Sequence, residues 1–278
     1  MRFDRRITAI RKDIASDYFK GLIKRKKFVE GVKHTVISNY SPLHSSKSST
    51  ISSQLLFGEQ VYVFDQSNGW SWVQGMRDGY VGYTPSKNLK KQRIKSSHKV
   101  SSLRTFVYSS SNIKSDVITY LSLNSLVLIS DRRNNFVKIK NLGWCFKNDF
   151  EKISKSNFNI VELSKKYLGT PYLWGGRDSM GIDCSGLVLN IMQMNCINFP
   201  RDTDLQESFV TKSIKYEKNL RAGDLVFWKG HVAMMVDKKN IIHANAFHMI
   251  TNIEPLQTVK KRILKENGKV VKYGRIQF

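Results

Sequence analysis

One cysteine of this sequence stands in a setting suited to nucleophilic catalysis. Cys184 lies in Asp183-Cys184-Ser185-Gly186, directly ahead of Leu187-Val188-Leu189-Asn190-Ile191-Met192-Gln193-Met194, where apolar residues recur at i, i+4 and i+7. That spacing predicts a helix beginning at the cysteine, where exposed backbone N–H groups and the helix dipole favour a thiolate. Asp183 is placed to cap the helix, and Ser185-Gly186 permits close approach of a substrate. A thiol nucleophile also needs a base, and the base needs a group that orients it. His231 opens one apolar run, His231-Val232-Ala233-Met234-Met235-Val236, and His243 closes the next, Ile241-Ile242-His243-Ala244. If the two runs form a hairpin, the imidazoles meet. His231 is then the base, and His243, or the nearby Asn245, is the orienting residue.

The remaining cysteines and histidines carry no such context. Cys145 replaces a strand residue and is expected to be an inert thiol, as is Cys196. His34, His44 and His98 read as ordinary hydrogen-bonded side chains, and His248 is left open. Three widely spaced cysteines make neither a CxxC pair nor a disulfide framework, which fits a reducing compartment. No Cys/His spacing forms a zinc site, so neither metal nor organic cofactor is expected.

The elements that must position these residues can be read along the chain. Ile7, Ile10, Ile14, Tyr18 and Leu22 recur at helical spacing and predict an N-terminal helical extension over residues 1–32. A polar, Ser-rich loop from Ser41 follows. Short strands are then punctuated by Asn68-Gly69 and Asp78-Gly79, pairs that tolerate positive φ and signal hairpins. Phe106–Tyr108, Leu126–Ile129, Phe136–Ile139 and Leu142–Phe146 repeat the pattern more weakly, with Gly143-Trp144 in the place of Gly82-Tyr83. The reading is two small all-β barrels, residues 33–92 and 98–153. Beyond residue 157 a helix stops at Gly169 and Pro171, the Cys184 helix follows, and strand candidates alternate to the end. Residues 157–278 therefore read as an α+β domain, a cysteine-bearing helix packed on an antiparallel sheet.

The net charge of +24 raises the question of an anionic partner. Lysines are nevertheless spread over the whole chain and nucleic-acid-binding motifs are absent, so no nucleic-acid partner is expected. No apolar run approaches the ~20 residues of a membrane span. The N-terminus begins with the basic residues of a signal peptide but lacks its apolar core, which predicts a cytoplasmic protein.

Tyr172-Leu173-Trp174-Gly175-Gly176, Gly181-Ile182-Asp183-Cys184-Ser185-Gly186, Pro200-Arg201, Gly223-Asp224-Leu225, Gly230-His231-Val232 and His243-Ala244 together resemble the NlpC/p60 family of cell-wall peptidases. Paired bacterial SH3-like barrels ahead of such a domain resemble its γ-D-glutamyl-diamino acid endopeptidases, of dipeptidyl-peptidase VI type. The resemblance implies a papain-like catalytic domain. It also implies cleavage of the γ-D-Glu–diamino acid bond in L-Ala-γ-D-Glu-diaminopimelate, a peptide with a free N-terminal L-Ala. It implies Cys184, His231 and His243 as catalytic residues and Asp183, Ser185, Tyr172 and Tyr80 as substrate-binding ones, with Asp183 pairing with the peptide's ammonium group. One departure stands out: relatives place an acidic residue in the loop corresponding to Ser45–Gln54, where this chain has neither Asp nor Glu. Asp78 is then an alternative partner for the amine. Trp174 and Trp228 read as packing residues. Two rivals remain: an amidase or acyltransferase on the same core, and a non-catalytic binder of cell-wall peptides.

Overall fold

The computed structural model describes residues 3–92, 94–265 and 268–277. The chain divides into two units, residues 1–153 and 154–278.

The first unit is all β apart from short 3-10 turns. Its N-terminal half builds a seven-stranded sheet in the order Ile51–Leu56, Tyr40–His44, Val81–Pro85, Trp70–Gly75, Gln60–Ser67, Val32–Val36 and Leu89–Lys90. Val36, Leu43, Leu55, Val61, Val73 and Tyr80 close its core. The hairpin between Gln60–Ser67 and Trp70–Gly75 turns on Asn68 and Gly69, both at positive φ (51° and 77°). Five strands between Arg104 and Phe146, and three more around His98–Val100, form the second barrel. Phe57 leaves the first barrel to join the core of the second, beside Val107, Leu121 and Val137. The following Gly58 has φ +79°, and a Cβ there would lie 1.8 Å from the Leu126 carbonyl oxygen, so only glycine allows this crossing.

Two expectations are corrected in this unit. The leading helix is absent from the described residues: Ile14–Ser16 pairs in parallel with Lys27–Val29, joined by a 3-10 turn and loop. Ile10 and Ile14 are buried, but Tyr18 and Leu22 are exposed, so the helical spacing does not correspond to one buried stripe. Ala9 and Ile14 pack against Phe64, Trp72 and Val81 of the first barrel, and that packing outweighs a short helix that is marginal alone. The Ser-rich loop is also shorter than expected. Ser41 and Leu43 are buried within a strand, and only the segment after His44 turns, with Ser45 bonded to Ser49.

The second unit begins with helix α1 (Ile160–Lys165), capped by Asn159. A short hairpin, Arg177–Asp178 with Gly181–Ile182, leads into α2 (Cys184–Met194). After α3 (Thr203–Phe209) come β1 (Lys212–Ser213), β2 (Leu225–Trp228), β3 (His231–Met235), β4 (Asn240–Asn245) and β5 (Ile250–Pro255). Helix α4 (Leu256–Leu264) and β6 (Lys272–Arg275) complete the chain. The antiparallel sheet runs β1-β6-β2-β3-β4-β5, and α2 packs on β3 and β4. Every residue of α2 is buried, which explains why its sequence is apolar almost all round. Each large aliphatic side chain so buried contributes about 1.5–3 kcal/mol. This is the α+β arrangement with its cysteine at the start of a helix set on an antiparallel sheet. Among the described residues no helix is long and apolar enough to cross a membrane.

Candidate active site

Cys184 is the first residue of α2, and Asp183 caps the helix by accepting the Gly186 N–H at 2.7 Å. Gly186 is obligatory, because a Cβ there would lie 2.3 Å from the Gly176 carbonyl oxygen. Thr203 approaches the sulfur at 4.0 Å, and the backbone N–H of Val232 also faces it. Strand β3, which carries His231, thereby lies beside the thiol.

Strands β3 and β4 pair with Met234 opposite Ile242 and Met235 opposite Ile241. Continuing that register places Ala233 opposite His243, so His231 and His243 are diagonal neighbours, within reach of long side chains. His231 Nε2 lies 2.8 Å from His243 Nδ1. The far nitrogen of His243, Nε2, lies 2.9 Å from Glu254 Oε2 on β5. Asn245, the alternative orienting residue, instead donates to Asn252 Oδ1 and to the Ile250 carbonyl. His248, left open in the sequence, bonds Glu254 Oε1 at 3.2 Å. Glu254 and Arg262 escaped the sequence reading. The available signal was period-two alternation in β5, which sends Asn252 and Glu254 to one side of the strand.

The electrostatics overturn one expectation. The helix start does not leave Cys184 as a ready thiolate: burial, reinforced by the Asp183 charge, pushes its thiol up to about 11. Burial likewise drives His231 down to about 3, helped by the neighbouring His243 and Arg262. The resting pair is therefore a neutral thiol and a neutral imidazole.

Thiol labelling should reflect this. Cys196 is exposed, whereas Cys184 is buried and Cys145 is buried with its thiol raised to about 12. Iodoacetamide near neutral pH is expected to modify Cys196 first, with Cys184 labelling accelerating steeply as pH rises toward 11. Peptide mapping by mass spectrometry over a pH series reads both, and Cys184 labelled ahead of Cys196 at pH 7 contradicts the neutral resting state.

The expected substrate residues sort differently. Tyr172 is half-buried, and burial is the first cause that raises its phenol. Tyr172, Trp174, His231, His243, Asn245 and Phe247 line a cavity of about 230 Å³. Trp174 is 67% exposed there, so it is not the packing residue its sequence context implied, while Trp228 is fully buried. Asp183 also departs from expectation. Arg201, itself buried, holds both carboxylate oxygens at 2.9 and 2.6 Å, and the N–H groups of Gly175 and Gly186 complete the set. Ser185 joins the same clamp, accepting from Arg201 at 2.8 Å. A carboxylate offers about four lone-pair positions, and all are taken, so Asp183 has none to offer an ammonium group. Tyr80 is buried in the first-barrel core and borders a cavity of about 420 Å³ lined by Arg5, Arg6, Arg11 and Lys12. Asp78 uses Oδ1 to accept the Tyr80 N–H. Among the described residues no group of three or more His, Cys, Asp or Glu is arranged to hold a metal ion.

A helix with a cysteine at its start, set on an antiparallel sheet, is the fold of a papain-like cysteine peptidase. The NlpC/P60 family model matches residues 169–267, and the bacterial dipeptidyl-peptidase SH3 domain model matches residues 43–89. Residues 169–267 are thus an NlpC/P60 domain, with a bacterial dipeptidyl-peptidase SH3 domain ahead of it. It is 29% identical over 218 residues to the γ-D-glutamyl-L-lysine dipeptidyl-peptidase of Bacillus subtilis, covering 70% of this chain and 72% of that one. Dipeptidyl-peptidase 6 of Lysinibacillus sphaericus is 36% identical over 98 residues, 35% of this chain but only 36% of the relative's length. The crystal structure of an NlpC/P60 family protein from Bacillus cereus superposes with a TM-score of 0.76 at 21% identity, covering 87% of this chain and 99% of that one. That likeness is one of fold.

Proposed function

We propose that the chain is a peptidoglycan peptide hydrolase that cleaves the γ-D-Glu–diamino acid bond of L-Ala-γ-D-Glu-diaminopimelate through a thioester on Cys184. The observation that carries this reading is the helix-start thiol beside β3, with the 2.8 Å imidazole pair on that strand and the next. The Cys184 thiol gives its proton to the His231 nitrogen not engaged with His243 while the sulfur attacks the γ-glutamyl carbonyl carbon. Backbone N–H groups of the first helical turn, that of Cys184 included, stabilise the oxyanion. His231 then protonates the departing amine of the diamino acid as the C–N bond breaks. Water, deprotonated by His231, hydrolyses the thioester, releasing L-Ala-γ-D-Glu and restoring the thiol. His243 orients His231, and Tyr172 borders the reacting carbonyl. The name of the γ-D-glutamyl-L-lysine dipeptidyl-peptidase relative supports a γ-D-glutamyl–diamino acid bond.

Recognition of a free N-terminal amine is the finer part of the proposal, and its weight should be small. Asp183 and Ser185 are occupied by Arg201, and Tyr80 borders a cavity lined by four basic residues. Acetylating the L-Ala amine should therefore lower kcat/KM by less than about tenfold, far short of the loss from stranding a buried charge. Incubation with the tripeptide and its N-acetylated form, with products read by mass spectrometry, tests both levels. Dipeptide plus free diamino acid is expected from each. A peptide retained uncleaved, or transferred to an added amine in preference to water, rejects the hydrolase reading. A loss of two or more orders of magnitude on acetylation rejects only the small weight given to the amine.

A further inference from the structure

The imidazole pair ends on a carboxylate that the proposed chemistry leaves unused. Arg262 on α4 donates through both terminal nitrogens to Glu254, at 2.8 Å to Oε1 and 2.8 Å to Oε2. The Phe247 ring covers that guanidinium at 4.2 Å. The Arg262 bond first, and the His243 bond second, hold the Glu254 carboxyl far below the usual carboxylate range, so Glu254 is ionised. An ionised carboxylate only accepts, so His243 Nε2, at 2.9 Å from Oε2, must carry a hydrogen. Burial lowers His243 and keeps it neutral, which leaves a lone pair on its Nδ1. That lone pair faces His231 Nε2 at 2.8 Å, so the second hydrogen sits on His231 Nε2. His231 is neutral as well, and its own lone pair is then on Nδ1.

We propose that Glu254, clamped by Arg262, is a positioning residue that sets the tautomers of both imidazoles and so keeps Nδ1 of His231 unprotonated for the Cys184 thiol. The inference rests on the reading of His231 as the base. Without Glu254, His243 can take the opposite tautomer and donate from Nδ1. His231 then carries its hydrogen on Nδ1 and has no lone pair for the thiol. Glutamine in place of Glu254 keeps an oxygen at the Oε2 position, which still accepts from His243 and Arg262 Nη2, and loses the bond that Arg262 Nη1 makes to Oε1.

Nitrogen-15 NMR of the histidine-labelled full chain reads the tautomers directly. Both His231 and His243 are expected as neutral Nε2–H forms between pH 6 and 8. Glu254→Leu should introduce the Nδ1–H form of His231 and lower kcat by roughly 10–100-fold with KM within about twofold. Glu254→Gln should keep the tautomers and lose less than about tenfold. An Nδ1–H form of His231 in the unsubstituted protein overturns the proposal whatever the activity, so the test stands even if the peptide proves not to be the substrate. Unchanged tautomers and kcat in a folded Glu254→Leu protein overturn it equally. Should Glu254→Leu fail to fold, the unsubstituted protein and Glu254→Gln decide.

Discussion

Cys184→Ala is expected to remove turnover of the murein tripeptide, lowering kcat by roughly 10⁴–10⁶-fold, as loss of a nucleophile does in enzymes whose catalytic groups act as a unit. The thiol is 7% exposed, and alanine fills the start of α2 without touching the Asp183 cap, so the fold should survive the change. The two other cysteines are the controls. Cys145 lies in the second-barrel core beside Val107 and Val137, and its replacement by alanine should cost about 1 kcal/mol of stability with activity kept. Cys196 sits at φ +59°, so Cys196→Gly removes its thiol without forcing a side chain into left-handed backbone. Steady-state kinetics and a melting curve on all three variants separate chemistry from folding. Substantial turnover by Cys184→Ala would remove the nucleophile from the account.

His231→Ala should be nearly as damaging, roughly 10⁴-fold in kcat/KM, because burial pushes the thiol up to about 11 and His231 is the base that takes its proton. His243→Gln should be far milder, roughly 10–100-fold. Glutamine can accept from His231 Nε2 through its oxygen and donate to Glu254 through its amide, reproducing both bonds that His243 makes at 2.8 and 2.9 Å. The two variants compared under one set of conditions measure the division of labour. Equal losses would mean that His243 does more than orient its neighbour.

Features with a local cause were legible in the sequence. Asn68-Gly69 produced its hairpin because two successive residues there must take positive φ. The Asp-Cys-Ser-Gly helix start followed from capping and a close backbone approach at Gly186. The histidine pair followed from two apolar runs short enough to be neighbouring strands. What stayed hidden depends on partners distant in sequence. Arg201, 18 residues from Asp183, turns that carboxylate from a free binding group into a filled clamp. Glu254 matters through Arg262, one helix later, and His243, one strand earlier. The leading segment mimicked a helix because Ile10 and Ile14 happen to be four apart, while Ile14 is buried against the barrel. Burial also reversed the expected state of the thiol: a helix terminus is worth roughly 0.3–1 kcal/mol to a charge, less than desolvation costs a buried one.

Rapid acid quench of the protein with L-Ala-γ-D-Glu-diaminopimelate, followed by intact-mass analysis and peptide mapping, tests most directly whether Cys184 is the nucleophile of a peptidase. The account predicts a transient L-Ala-γ-D-Glu acyl adduct on the peptide containing Cys184, appearing with release of diaminopimelate and absent from Cys184→Ala. An adduct on another residue, or normal cleavage by Cys184→Ala with no adduct at all, would contradict it.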